Sequence, residues 1–213
     1  MAKTISGIDM KQALVIGCGN KRGSRIIDAC LEAGYNVINI GSSESKNTSV
    51  KNIQINWKDL DLIKLYKLLR EIDYKIDFIF FNQNGSSLSK IDFSQTKKTL
   101  DTWSIVKSWG HSYWLSCQLP YFLIKTLETN LHSHTIIGWM LSSFIDKDKE
   151  GVDEHPDYSG YKFTNYLVMK NFANKFNCFG INPDFDKEDG IKKLIKQICI
   201  DNKKCNGEVF HID

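Results

Sequence analysis

Tyr158 and Lys162 stand four residues apart in Tyr-Ser-Gly-Tyr-Lys, one turn along the same face of an expected helix. A free tyrosine titrates near pH ~10, too high to exchange protons readily at neutrality. A cation one turn away favours the phenolate and lowers that value. Lys162 can also hydrogen-bond a ribose. Ser142 and Ser143 follow the strand before that helix, and either can hydrogen-bond a substrate oxygen as negative charge develops on it. Tyrosine, lysine and serine together can protonate and polarise a carbonyl. Spacing alone does not select them. With 25 lysines in 213 residues, eight tyrosines predict about one Tyr-x-x-x-Lys by chance, and the chain has three: Tyr121/Lys125, Tyr158/Lys162 and Tyr166/Lys170. Position selects Tyr158, which alone opens a helix shortly after a strand ending in serine. Ligands of open α/β sheets bind at those carboxyl ends. Tyr121 is expected to pack mid-helix, and Tyr166 to lie two turns farther along, away from the sheet edge.

A second group lies near the start of the chain. Gly17-Cys-Gly19-Asn20-Lys21-Arg22-Gly23-Ser-Arg25 follows the apolar run Ala13-Leu-Val-Ile16. Glycines let a backbone turn tightly and approach a pyrophosphate whose charge faces a helix N-terminus. Lys21, Arg22 and Arg25 add cations, and an arginine fork suits a ribose 2′-phosphate. The second strand ends in Ile40-Gly41-Ser42-Ser43, with no carboxylate before Glu44 to accept from a free 2′-hydroxyl. Ser42 or Ser43 can donate to a phosphate. NADP(H) is therefore favoured over NAD(H). Arg25 has an alternative use, an ion pair with Asp28 or Glu32 on its own helix. Hydride would have to come from a nicotinamide, since no side chain supplies one. The combined reading is a nicotinamide-dependent oxidoreductase.

Positioning these groups takes a regular alternation of strand and helix. Strands are expected at 13–16, 36–40, 52–55, 76–81, 135–141, 178–181 and 207–212. Helices are expected at 24–33, 60–72, 158–176 and 188–200, with a long helical region from about Leu100 to Leu131 kinked near Pro120. Continuous apolar strands separated by helices call for an α/β fold: a three-layer, doubly wound parallel sheet of Rossmann type. With no internal repeat and no linker, residues 1–213 are expected to form one dinucleotide-binding domain.

Composition narrows the partners. Hydrophobic residues make up 42% and charged residues 25%, a globular balance. A net charge of +3 is too small to point to nucleic acid. No apolar stretch approaches the ~18 residues of a membrane span, and the N-terminal residues lack a signal-peptide pattern. The six cysteines (Cys18, Cys30, Cys117, Cys178, Cys199, Cys205) form no CxxC pair and no His/Cys metal spacing. They are expected to be reduced thiols of a cytoplasmic protein, and no metal is expected.

These residues resemble the short-chain dehydrogenase/reductase family over essentially the whole chain. Residues 13–17 resemble its first strand and turn, and Asn82-Gln-Asn84-Gly85 its Asn-Asn-Ala-Gly segment after strand four. Ser142/Ser143, Tyr158 and Lys162 match its catalytic set, and residues 206–213 its closing strand. The resemblance implies a nicotinamide cofactor held at Gly17–Gly23, Gly41–Ser43, Asn82, Asn84, Gly85, Tyr158, Lys162 and Pro183. It also implies a small-molecule substrate, and homodimers or homotetramers built on two long helices. Three departures stand out. The family's middle glycine is Lys21. Its helix asparagine is missing around Trp109, Gly110, His111 and Ser112, where His111 or Ser112 could replace it. Only 30 residues follow Pro183, so the usual substrate cover is mostly absent. An open site results, or a lid from Asp146–Asp157 or another subunit. Gly23-Ser-Arg25 and Trp109 faintly resemble dihydropteridine reductases. Trp103, Trp109, Trp114 and Trp139 could stack on a planar substrate, though core packing is their commoner role.

The leading expectation is thus NADPH-dependent reduction of a small carbonyl or C=N group, with Tyr158 as proton donor. The rivals are a non-catalytic NADP-binding protein acting through a partner, a dihydropteridine-reductase-like activity, and a Rossmann-type domain that binds no cofactor.

Overall fold

The computed structural model describes residues 10–57, 62–83, 110, 113–141, 156–183 and 188–212, with the backbone alone for 156–159. Seven strands form one sheet: β1 (Gln12–Ile16), β2 (Asn36–Gly41), β3 (Val50–Gln54), β4 (Phe78–Phe81), β5 (Ile136–Met140), β6 (Asn177–Pro183) and β7 (Glu208–Ile212). Their order is β3-β2-β1-β4-β5-β6-β7, and every neighbouring pair is parallel. Parallel neighbours require crossover connections, so helices must cover both faces. The strands accordingly bury side chains on both sides. Leu14, Ile16, Ile79, Phe81 and Trp139 pack with α2 (Leu62–Arg70), α3 (Leu119–Thr126) and α4 (Pro156–Phe172). Ala13, Val15, Phe78, Phe80 and Phe179 pack with α1 (Lys21–Glu32) and α5 (Glu188–Asp201). This is the expected three-layer α/β arrangement.

The chain runs outward in opposite directions from β1 and β4, which makes their carboxyl ends the crevice where such sheets bind ligands. Two elements differ from expectation there. Helix α1 begins at Lys21, three residues early, because the Asn20 side chain caps it by accepting from Gly23 N–H at 2.8 Å. Gly23 therefore belongs to the first helical turn, and the loop shortens to Gly17–Asn20. The second difference lies around Pro120. Proline has no N–H to give the carbonyl four residues back. The ladder before it widens into a π-helical turn, Trp114–Gln118, and Leu119 N–H reaches the Trp114 carbonyl five residues back. Between β6 and α5 lie only four residues, which are outside the described residues.

Candidate active site

Each glycine of the loop answers a different steric demand. Gly17 sits at φ +90°, a conformation side chains rarely adopt, beside the backbone of Asn82 and Gln83. At Gly19 a Cβ would come within 2.8 Å of Ser43 Oγ. At Gly23 it would strike Cys18 Cα at 2.6 Å and the Gly17 carbonyl at 2.7 Å. Gly23 thus lets α1 descend onto the turn that precedes it. Gly41 closes β2 against the Gly17 backbone. The missing middle glycine is no obstacle, because Lys21 opens the helix on its exposed side.

Asn82, at the end of β4, locks this turn. Its amide donates to the Gly17 carbonyl at 2.6 Å and to Asn20 Oδ1 at 3.1 Å. Its side-chain nitrogen is thereby committed to the loop, while Oδ1 is buried with no hydrogen-bond partner. The facing wall is built by two strand asparagines. Asn39 on β2 donates to the Ser43 carbonyl and to Asn52 Oδ1 on β3, and Asn52 Oδ1 accepts from Ser45 N–H. Cys18 Sγ donates to the Ser43 carbonyl at 3.3 Å, and burial raises the Cys18 pKa. Between the walls lies a cavity of about 580 Å³, lined by Gly19, Asn20, Lys21, Ser43, Ser45 and Lys46, with Asp28 and Glu44 also present.

The cationic side chains divide differently from expectation. Arg25 leaves the loop: one turn into α1, its guanidinium pairs with Asp189 of α5 at 3.2 Å. Asp28 and Glu32 are not its partners. Glu32 pairs instead with Lys192 and Lys196, whose hydrogen bonds hold its carboxyl down at about 2. Nor does Arg22 line the cavity; its charge acts on Lys162. Lys21 and Lys46 are the cations that line the cavity wall.

Lys162 is the most unusual group. Its side chain is fully buried on α4, and Nζ donates 2.9 Å to the carbonyl of Met140, the last residue of β5. Burial pulls its pKa from 10.5 to about 7; the Cys117 thiolate form opposes the drop and the Arg22 charge adds to it. Tyr158 lies one turn earlier on the same helix. Ser142, Ser143, Asn84 and Gly85 lie outside the described residues, as do Trp103, Trp109, His111, Ser112 and residues 146–155 of the expected lid. Ser42 and Ser43 are exposed just past β2, and Pro183 ends β6. The loop glycines, Gly41, Ser43, Asn82 and Pro183 come from the carboxyl edge of the sheet or the turns that leave it, and Lys162 reaches that edge from α4 through the Met140 carbonyl. Two tyrosines outside the pair are also fixed: Tyr166 packs on Phe163, and Tyr121, half exposed on α3, packs on Phe172.

No protein-family model matches the chain, and no curated protein matches it. Solved structures do match. A short-chain dehydrogenase family protein from Francisella tularensis has 18% identity and a TM-score of 0.72, over 96% of this chain and 97% of that one. A carbonyl reductase from Pseudomonas aeruginosa has 12% identity and a TM-score of 0.70, over 96% of each chain. BdcA, solved in complex with NADPH, has 11% identity and a TM-score of 0.70, over 95% of this chain and 93% of that one. The chain has the fold of the short-chain dehydrogenases/reductases. Of the stretch where the helix asparagine is expected, 109–112, only Gly110 is among the described residues. The segment packed on α4 beside Lys162 is the π-helical turn, where Ser116 and Cys117 are buried and Cys117 Sγ reaches the Tyr161 carbonyl at 3.4 Å. Burial pushes the Cys117 thiol up to about 11. Pro120, just beyond, was the only sequence signal for that irregularity. Asn39 and Asn52 were also missed; polar residues inside apolar strands were their signal.

Proposed function

We propose that this chain is a divergent short-chain dehydrogenase/reductase that reduces a small carbonyl or C=N substrate, with NADP(H) preferred to NAD(H). The observation that carries the reading is Lys162: a fully buried ammonium, held at the carboxyl end of β5, one helical turn from Tyr158. A lysine is rarely buried without a task, because desolvation opposes its charge.

The turn at Gly17–Gly23 fits a dinucleotide. Glycines stand where a Cβ would meet backbone, a helix N-terminus opens the crevice, and cations flank it. Gly17, Gly19 and the first turn of α1 would hold the diphosphate. Ser43, Ser45, Lys21 and Lys46 would hold the adenosine end and its 2′-phosphate, the arginine fork having gone elsewhere. Asn84, Gly85 and Pro183 would border the nicotinamide end. When bound, the nicotinamide supplies the hydride. Tyr158 donates the proton to the substrate oxygen or nitrogen, Lys162 stabilises the phenolate left behind and binds ribose, and Ser143, or Ser142, orients the substrate by hydrogen bonding. The carbonyl reductase and the NADPH complex among the similar structures support this choice of chemistry.

Residues 1–213 would act as one domain. Among the described residues no helix is long and apolar enough to cross a membrane. Six buried free thiols favour a reducing compartment such as the cytoplasm. Tyr121 on α3 and Phe163 and Leu167 on α4 leave an apolar face exposed, which fits a homodimer.

The test is a calorimetric titration with NADPH and NADH side by side, followed by a carbonyl and quinonoid-pterin substrate screen with Tyr158→Phe as control. NADPH binding tighter than NADH, with turnover lost in Tyr158→Phe, is the expected result. The short β6–α5 connection favours one alternative, a non-catalytic NADP-binding protein; tight NADPH binding without turnover would select it. Binding of neither nucleotide would refute both.

A further inference from the structure

At the opposite edge of the sheet, where β1, β4 and β5 begin, three side chains from two distant parts of the sequence meet. Asp77 precedes β4, and His132 and His134 flank the tight turn into β5. Among the described residues they are the one group of three whose metal-binding atoms come together, all within 4.8 Å of one another.

The hydrogen bonds around them fix the state of His132. Thr135 Oγ1 has a single proton and donates it to the Ile76 carbonyl at 2.8 Å. That hydroxyl must therefore accept at its other contacts, from His132 N–H at 3.0 Å and from His132 Nδ1 at 3.1 Å. Nδ1 thus carries the ring proton, and in the neutral ring Nε2 bears a lone pair. Yet Nε2 faces Asp77 Oδ1 at 3.3 Å. Two acceptors face each other, and only a positive species between them relieves the repulsion. A proton is one candidate. It would place an imidazolium face to face with a second imidazole, His134, whose centroid lies 3.5 Å away. A metal cation satisfies both the acceptor pair and the second ring.

We propose that Asp77, His132 and His134 bind a divalent first-row metal cation, zinc-like in its ligand preference, at the amino-terminal rim of the sheet. The geometry is partly assembled. In a tetrahedral zinc site with bonds of about 2.0–2.1 Å, neighbouring ligand atoms sit about 3.3 Å apart, the separation already present between Asp77 and His132. The outer shell is in place for two of the three ligands. Histidine ligands usually donate their second nitrogen to an oxygen, as His132 does to Thr135. The other Asp77 oxygen accepts from Gln12 N–H at 2.8 Å, which holds the carboxylate in place. His134 is exposed and needs only to turn out of the stack, leaving one position for water. The cation would tie together the starts of three strands, on the far edge from the glycine loop.

The full chain, freed of metal and of any affinity tag, would be titrated with zinc chloride by calorimetry and with cobalt(II) by visible absorption. One zinc per chain with micromolar affinity, a tetrahedral cobalt spectrum and a higher melting temperature with zinc are expected. Asp77→Asn, which keeps the Gln12 contact, and His134→Ala, an exposed turn position, should each weaken zinc binding about tenfold or more. His211→Gln should not. Absence of saturable zinc binding by the natural chain would overturn the proposal, as would affinity that survives both Asp77→Asn and His134→Ala in variants with native circular dichroism.

Discussion

Replacing Lys162 with methionine should make the ligand-free protein more stable, although it removes a group proposed for catalysis. In the fold the ammonium titrates at about 7, against 10.5 for an unburied lysine. That gap corresponds to roughly 5 kcal/mol at about 1.4 kcal/mol per pH unit. Its sign follows from proton binding. Between pH 7 and 10.5 the unfolded chain holds a proton that the folded chain has lost, so stability rises with pH through that window. Below pH 7 both states are charged and the whole penalty falls on the fold. Methionine matches the length of the lysine stem and removes the charge, but it leaves the Met140 carbonyl without the ammonium, a loss of about 2 kcal/mol. Lys162→Met should therefore gain up to about 3 kcal/mol at pH 6, and the gain should shrink to near zero by about pH 9. Urea denaturation of both proteins at pH 6, 7.5 and 9, with common slopes, measures this directly. A variant less stable than the natural chain at pH 6, or a difference that ignores pH, would refute the burial argument. The same variant should lose turnover, an instance of function held at the expense of stability.

Two further predictions concern the loop. Gly23→Ala places a methyl group against the Cys18 and Gly17 backbone, which cannot yield as a flexible side chain could. It should cost about 1–3 kcal/mol in urea denaturation and weaken NADPH binding by calorimetry; unchanged stability would mean that α1 does not press on the turn. Asn82→Ala removes the amide bonds to the Gly17 carbonyl and to the capping Asn20. A loss of about 1–3 kcal/mol is expected, together with faster hydrogen exchange at Gly23, whereas exchange unchanged at Gly23 would show that the cap holds without it.

Local pattern was enough for the layers and for one end of the site. Apolar runs such as Phe78–Phe81 can satisfy both faces only inside a covered parallel sheet, so fold class followed from composition of the strands. The glycine turn was legible because the positive φ of Gly17 and the press of Gly23 on the Cys18 and Gly17 backbone are demands raised within a few residues. Tyr158 and Lys162 share a helix face by spacing alone. What the tertiary structure decided involves partners far apart in sequence. Arg25 chose Asp189 of α5 over its own helix, because α1 and α5 lie side by side on one face of the sheet. Asn82 reaches back 65 residues to Gly17, and Asn39 and Asn52 set the serine wall only once β2 and β3 pair. Lys162 acquires its lowered pKa from burial beneath the π-helical turn, a property of packing that no spacing encodes. His-Ser-His at 132–134 gave no metal pattern on its own; Asp77 arrives from 55 residues upstream when β4 and β5 align. Short-range sterics and periodicity are written locally. Charge partners, burial and ligand sets are written in the sheet order, which the chain expresses only after it folds.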